Sequence, residues 1–419
     1  MKQTLIFAVA LLFFFVTASA QEPEQWARFR GPNGQGISTA TGLPTQWSDT
    51  ENISWKTPIP GEGWSSPIIW NDHIFLTTAT DNGTECRVIA VDRKSGNILW
   101  NKMVFTQELK QRHPRNSRAT PTPVSDGRRV YAVFASGHFA ALDFEGNIIW
   151  TNTDLDFRSQ HGFGTSPILY GDLLIAAVNP SEGNLGFQEP WDKSFLWALD
   201  KATGKERWRG TRGLSIIGHS VPVVIQVNGK DQILSVAGNV VQGFDPATGE
   251  LIWTVNNPGE PAVPSPAIGD GLIFATSRHS RPILGIRPDG RGDVTATHVV
   301  WEQARNSPMT SSFLYVKPCL YTAHESGSFS AYEGATGKFL WQHRLEGGRP
   351  DTSPIYADGN VYITTHEGIT TILKLNVDPA QPPEVVAVND IGETVQATIA
   401  IAGKQLFLRT DKALWCIGK

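Results

Sequence analysis

The sequence predicts an all-β fold: an eight-bladed β-propeller of four-stranded antiparallel blades, closed by an N-terminal strand that completes the last blade. Three observations lead there. An acidic residue, a Gly turn and a Trp recur in one frame, as "DRKSGNILW" at 92–100, "DKATGKERW" at 200–208, "DPATGELIW" at 245–253 and "EGATGKFLW" at 333–341, with a shortened copy "DFEGNIIW" at 143–150. A hairpin opening, often written Ser-Pro or Thr-Pro, occurs eight times, from "SSPIIWNDHIFLTTAT" at 65–80 to "TIAIAGKQLFLRT" at 398–410. After the eighth opening only three strands remain, ending at "ALWCIGK", while an orphan strand, "NISWKTPIP", stands at 52–60. Four strands in each period of roughly 40–50 residues is the signature of propeller blades. A terminal strand that fills the last blade removes the open edges of the ring.

Each element follows in chain order. Lys2, the apolar run "LIFAVALLFFFV" and "TASA" have the form of a signal peptide over 1–20, cleaved after Ala20, which implies a periplasmic or secreted protein. The apolar run is too short to span a bilayer comfortably, and no later segment is apolar for long enough. Residues 21–51, rich in Gly and Pro, are expected to be an irregular lead-in, and 52–419 a single domain. Within a blade the opening reads as two strands about a tight turn such as "YGD", "SDG" or "ADG". A third strand follows, then the acidic–Gly turn, then a fourth strand ending near Trp. In that turn Asp200 is placed to accept N–H groups, and Gly204 to adopt φ > 0. Ala90, Ala141, Ala198, Gly243 and Ala331 are small at one equivalent place on the third strand. Room for a large neighbour results, and Trp208 with its equivalents is expected to pack against adjacent blades. Each buried indole contributes about 2–3 kcal/mol.

Composition bounds the function. A formal net charge of −4 at pH 7 gives no support for binding nucleic acid or an anionic membrane. Cys86, Cys319 and Cys416 are too widely spaced for a disulfide framework or a C-x-x-C site, and read as buried structural residues. "HESG" at 324–327 and "THEG" at 365–368 are not H-E-x-x-H, because Ser328 and Thr370 stand where the second His is needed. They read as echoes of the repeat. "RGD" at 291–293 lies in a long turn, and "GPNGQG" at 31–36 opens no helix, so neither supports recognition of an integrin or a nucleotide. No nucleophile–base pair is implied by spacing alone, and a monomer is expected.

"AVDRKSGNILW", "ALDKATGKERW" and "AYEGATGKFLW" resemble A-x-D-x-x-T-G-x-x-x-W, the blade-docking signature of the PQQ-like β-propeller family, and the resemblance covers about 52–419. "WARFRGPNGQGIS" looks like the lead-in of secreted, planctomycete-like members. Two branches share the implied fold. Quinoprotein dehydrogenases hold PQQ and Ca²⁺ in the ring centre, and the BamB-type lipoprotein scaffolds outer-membrane protein insertion without chemistry. Here no two Cys are adjacent, no C-x-x-C-H haem motif occurs, no Glu/Asn/Asp set for Ca²⁺ is recognisable, and the lipobox is missing. The expectation is therefore a non-catalytic binding or scaffold propeller with no cofactor. A PQQ- and calcium-dependent dehydrogenase with an atypical site stays as an alternative, as does a propeller of envelope or polysaccharide metabolism.

Loop lengths place the site. Hairpin turns and Gly turns fall on one face and are short. Links between blades, and between second and third strands, fall on the other and carry insertions such as "NKMVFTQELKQRHPRNSRAT" at 101–120 and "NPSEGNLGFQEPWDKS" at 179–194. Long loops on a rigid scaffold are the usual place for binding. Residues just before each inner strand should rim the channel on that face: Trp64, Arg115, Asn116, Arg118, His161, Phe163, His219, Arg305, Arg349 and Asp351. Guanidinium, imidazole and aromatic groups so gathered suit a small anionic or carbohydrate ligand, or a segment of an envelope protein. Lys201 and Lys205, on the short-turn face, are expected to tolerate charge reversal.

Overall fold

The computed structural model describes residues 25–418 except 109, 111, 260 and 278–281, so the expected leader over 1–20 lies outside the described residues. Its strands form eight antiparallel sheets in chain order, one for each hairpin opening. Blades one to seven occupy 68–106, 124–152, 168–211, 223–257, 267–303, 314–344 and 355–390. The eighth joins both ends of the chain: Ala400–Ala402, Gln405–Arg409 and Ala413–Ile417 are completed by Ile53–Pro58, with Lys56 opposite Trp415 and Trp55 opposite Cys416. Cys86, Cys319 and Cys416 are buried and unpaired. Among the described residues, no helix is long and apolar enough to cross a membrane.

The repeated frame docks blade on blade at five junctions of the ring. Each small residue lies directly opposite its own blade's Trp, as in Ala198 with Trp208 and Gly243 with Trp253, and the strand then bulges by one residue. A Cβ on Gly243 would meet the Trp253 ring at 2.2 Å, so the position is small because the indole lies across it. The indole's far side covers the turn glycine of the following blade. Cβ atoms on Gly96, Gly146, Gly204, Gly249 and Gly337 would fall 2.4–2.8 Å from Trp55, Trp100, Trp150, Trp208 and Trp301. Trp150 donates its Nε1–H to Lys201 O at 3.0 Å, and Trp55, Trp100 and Trp301 donate likewise to Arg93, Phe144 and Gly334. The acidic residue holds the turn that the indole needs: Asp200 accepts from the N–H groups of Ala202 and Thr203 at 3.0 and 2.9 Å.

Blade four departs from this pattern. Trp253 is fully buried and donates to Gln232 of its own blade. The long turn at 287–298 supplies Gly292–Asp293 as a fifth, parallel strand beside Leu251–Asn257, and Val294 packs with Trp253. Asp293 of the RGD sequence is spent within this latch, accepting from Asn256 and Thr295.

The Ser-Pro and Thr-Pro openings close the ring from inside. Ser66 N–H donates to the Thr122 hydroxyl, and Thr122 N–H to Ser166. Val221 donates to Ser265, Ser265 to Ser312, Ser312 to Ser353, and Ser353 to Thr398. Thr398 then donates to Ser66, joining the eighth blade to the first at 3.0 Å. The circle is broken only between Ser166 and Val221, where the side chain carries no hydroxyl.

The lead-in crosses the short-turn face and stoppers the channel. Trp26 pairs with Ile69 of blade one, and Ala27 O accepts from Ser125 of blade two. Arg28 reaches Pro222 O before blade four, Gln35 accepts from Ile268 of blade five, and Gly36 O accepts from Tyr356 of blade seven. Arg30 is fully buried; its guanidinium donates to Gly34 O, Gln35 O and Phe313 O, the last just before blade six. Burial lowers its pKa to about 9, which still leaves it charged at neutral pH.

Candidate functional site

With one end stoppered, the channel is a blind cavity of about 840 Å³ open on the long-link face, with Phe29 of the lead-in on its wall. The hydroxyl circle forms its neck, since Ser66, Thr122, Ser166, Ser265, Ser312, Ser353 and Thr398 all line it. Above the neck, the links between blades supply the mouth.

Of the ten residues expected at the rim, Trp64, Arg115, Asn116, His161, His219, Arg349 and Asp351 line the cavity. Their links are tied together. Asn116 Nδ2 donates to His161 O, and His219 N–H donates to Ala262 O at 2.7 Å. The rings of His113 and His161 stack with centroids 4.9 Å apart, and His219 meets His161 edge-on at 5.6 Å. Gly164 makes this seat possible, because a Cβ there would lie 2.7 Å from His219 Nδ1. Burial, with like-charge repulsion from His161 and His113, pushes the His219 pKa down to about 3, so this ring is neutral at pH 7.

Across the mouth, Arg349 Nη2 lies 2.8 Å and His366 Nδ1 2.9 Å from Asp351 Oδ2. Among the described residues Asp351 is the single carboxylate on the wall, and both its neighbours are basic. The wall is therefore rich in donors and poor in acceptors.

Three expected residues lie elsewhere. Phe163 is 2% exposed and packs edge-on against Phe157, because its link turns inward immediately after His161. Arg305 turns outward, with its guanidinium 3.9 Å above the Phe339 ring and Nη2 on Gln342. Arg118 folds back toward blade one, donating to Lys110 O and covering Gly83. Lys201 is not a bystander on the other face: it pairs with Asp126 of blade two at 3.1 Å, whereas Lys205 is exposed.

Sequence reasoning missed His113, Phe187 and His366, which also line the cavity. Phe187 comes from the blade-three insertion and sits 5.3 Å from His161. The length of that insertion was a usable signal. As an echo of His324 in the repeat, His366 sits at the matching turn, but of the two only His366 reaches the channel wall.

Eight blades, with five of the junctions between them made by a Trp over a Gly turn, around a channel closed at one end by the chain itself, define a single-ring β-propeller of the Trp-docked class. The chain belongs to the PQQ-repeat family whose model is described as "Outer membrane protein assembly factor BamB", matched over residues 34–158, 191–298 and 291–410. BamB of Salmonella typhimurium is 28% identical over 181 residues, which is 41% of this chain and 38% of that relative's length. The structure of BamB from Moraxella catarrhalis superposes with a TM-score of 0.61 at 15% identity, covering 88% of this chain and 97% of that one. A europium-containing methanol dehydrogenase superposes with a TM-score of 0.63 at 11% identity, covering 93% and 90%. These two likenesses establish the fold alone.

Proposed function

We propose that this protein is a non-catalytic binding propeller of the bacterial envelope, a scaffold that takes a segment of a partner protein at the mouth of its channel. One observation carries the reading. Links far apart in sequence bring Arg115, His161, His219 and Arg349 to one opening of a rigid ring, while the chain itself fills the other end. The family description, an outer membrane protein assembly factor, supports a role of this type.

The dehydrogenase alternative asks for PQQ with Ca²⁺. Calcium takes about six to eight oxygen ligands. Among the described residues the wall offers one carboxylate, Asp351, which lies against Arg349 and His366. Among the described residues no group of three or more His, Cys, Asp or Glu is placed to hold a metal ion. That donor set does not fit the pair, and we derive no step through a quinone.

The test is site-specific photocrosslinking in the native host. A crosslinker at His113 should trap a discrete envelope protein, and Arg115→Ala with Arg349→Ala should reduce the adduct about tenfold or more. The same group at exposed Lys205 or Lys338 should trap nothing. Adducts from Lys205 that survive the double Arg change would put the site on the wrong face. The envelope assignment has its own check: the mature protein should begin at Gln21 and fractionate outside the cytoplasm.

A further inference from the structure

We infer that the neck of the channel is a binding site for a small, multiply charged oxyanion, of the polycarboxylate, phosphate or sulfate kind, separate from partner docking at the mouth. The observation is the direction in which the hydroxyl circle is used. Each of its seven side-chain oxygens accepts a backbone N–H from the preceding blade, at 2.9–3.1 Å. A hydroxyl has one proton and two lone pairs. Accepting consumes a lone pair and leaves the proton to be donated. None of these seven hydroxyls donates a hydrogen bond among the described residues, and all seven line the cavity. The backbone has turned the neck into a girdle of O–H donors.

The groups above the neck have the same polarity. Among the described residues, Arg115, Arg349 and the His113 and His161 rings share the wall with a single carboxylate, Asp351, which is already paired with Arg349. A neutral polyol brings as many donors as acceptors and would leave much of this surface unmatched. An oxyanion brings acceptors only, and hydrogen bonds to a charged acceptor are about twice as strong as neutral ones. The blind end, with Phe29 on its wall, limits the water that screens such a charge. His219, neutral when the cavity holds no anion, faces the same space, so an anion beside it raises its pKa and binding takes up protons.

The break in the circle supplies the sharpest test. Val221 stands where a Thr of nearly the same shape would complete the girdle. Calorimetric titration of the purified protein with citrate, inorganic phosphate and sulfate, and with sucrose as a neutral control, reads the site directly. Saturable one-site binding by at least one oxyanion is expected, weakening with added salt, with none by sucrose at the same concentration. Val221→Thr should tighten the oxyanion by about two- to fivefold, and Ser312→Ala with Ser353→Ala should weaken it by about tenfold or more. If the double Ala variant does not fold, Val221→Thr decides alone. Saturation by none of the three oxyanions overturns the inference, as does sucrose binding as well as they do, or an affinity that Val221→Thr leaves unchanged. The titration uses the purified chain and the crosslinking of the mouth needs a partner, so either reading can fail while the other stands.

Discussion

Gly249 and Gly229 have nearly the same backbone conformation, φ of +75° and +77°, in different surroundings. An added Cβ would meet the Trp208 ring at 2.4 Å in the first and nothing within 4 Å in the second. Ala at either position adopts a left-handed backbone that costs about 1–2 kcal/mol. At Gly249 it also displaces the docking indole, so Gly249→Ala should lower stability by about 2–3 kcal/mol more than Gly229→Ala in urea unfolding. Equal losses would show that the indole does not need the bare turn. His219 makes a second prediction at this scale. Its folded pKa, about 3, lies below the roughly 6.5 of an unfolded His, so the unfolded chain takes up the proton first. This contribution to stability is fully present above about pH 6.5 and is lost as pH falls toward 3, by at most about 1.4 kcal/mol per unit and less where cavity water reaches the ring. His219→Asn should therefore gain on the wild type between pH 7 and 4. Parallel pH profiles would remove His219 from the acid response. Burial also lowers the pKa of His138 and His343, which tilts both profiles alike.

Between elements, the same Trp has unequal weight. Trp253 is fully buried beneath the parallel strand Gly292–Asp293, whereas Trp208 is half-buried and its Nε1 has no acceptor among the described residues. Trp253→Ala should cost about 3–5 kcal/mol and Trp208→Ala about half of that. The reverse order in denaturant midpoints would mean that the turn contact outweighs burial. This scale also shows what the sequence made legible. The eight openings, the Trp frame and the orphan strand at 52–60 each recur or lack a partner, so periodicity alone placed them. The latch at 287–298 recurs nowhere, and its pairing to blade four was invisible. The links fared differently from the strands because no period dictates which way a link side chain turns. His161 and Phe163 are two residues apart, yet one faces the cavity and the other the core. Arg305 was misplaced because stacking on Phe339 turned it outward. The Ser-Pro openings were visible as strand starts, but a circle of bonds between residues 41–56 positions apart, closed by one between residues 332 apart, needs the closed ring to exist.

For the whole molecule, closure rests on three devices at different radii. The strand Ile53–Pro58 closes the rim, the hydroxyl circle closes the neck, and the lead-in ties blades across the short-turn face. The third is the least expected of an irregular Gly- and Pro-rich segment, and Arg30 is its centre. Among the described residues its guanidinium has no carboxylate partner and is held by three backbone carbonyls, two of which shape the lead-in's own loop while the third belongs to Phe313. Removing it leaves buried carbonyls without donors and a void beside the inner strands, each a recognised source of large destabilisation. Arg30→Ala should lower stability by about 3 kcal/mol or more, while exposed Lys205→Ala stays within about 0.5 kcal/mol. Because Arg30 links the lead-in to blade six, the loss should be concentrated: amide hydrogens of Trp26, Gly36 and Tyr356 should exchange faster, while those of outer strands such as Ile98–Thr106 keep their relative protection. A loss under about 1 kcal/mol, or faster exchange spread evenly over all eight blades, would mean that the lead-in is an appendage and that the rim strand and the hydroxyl circle suffice to hold the ring.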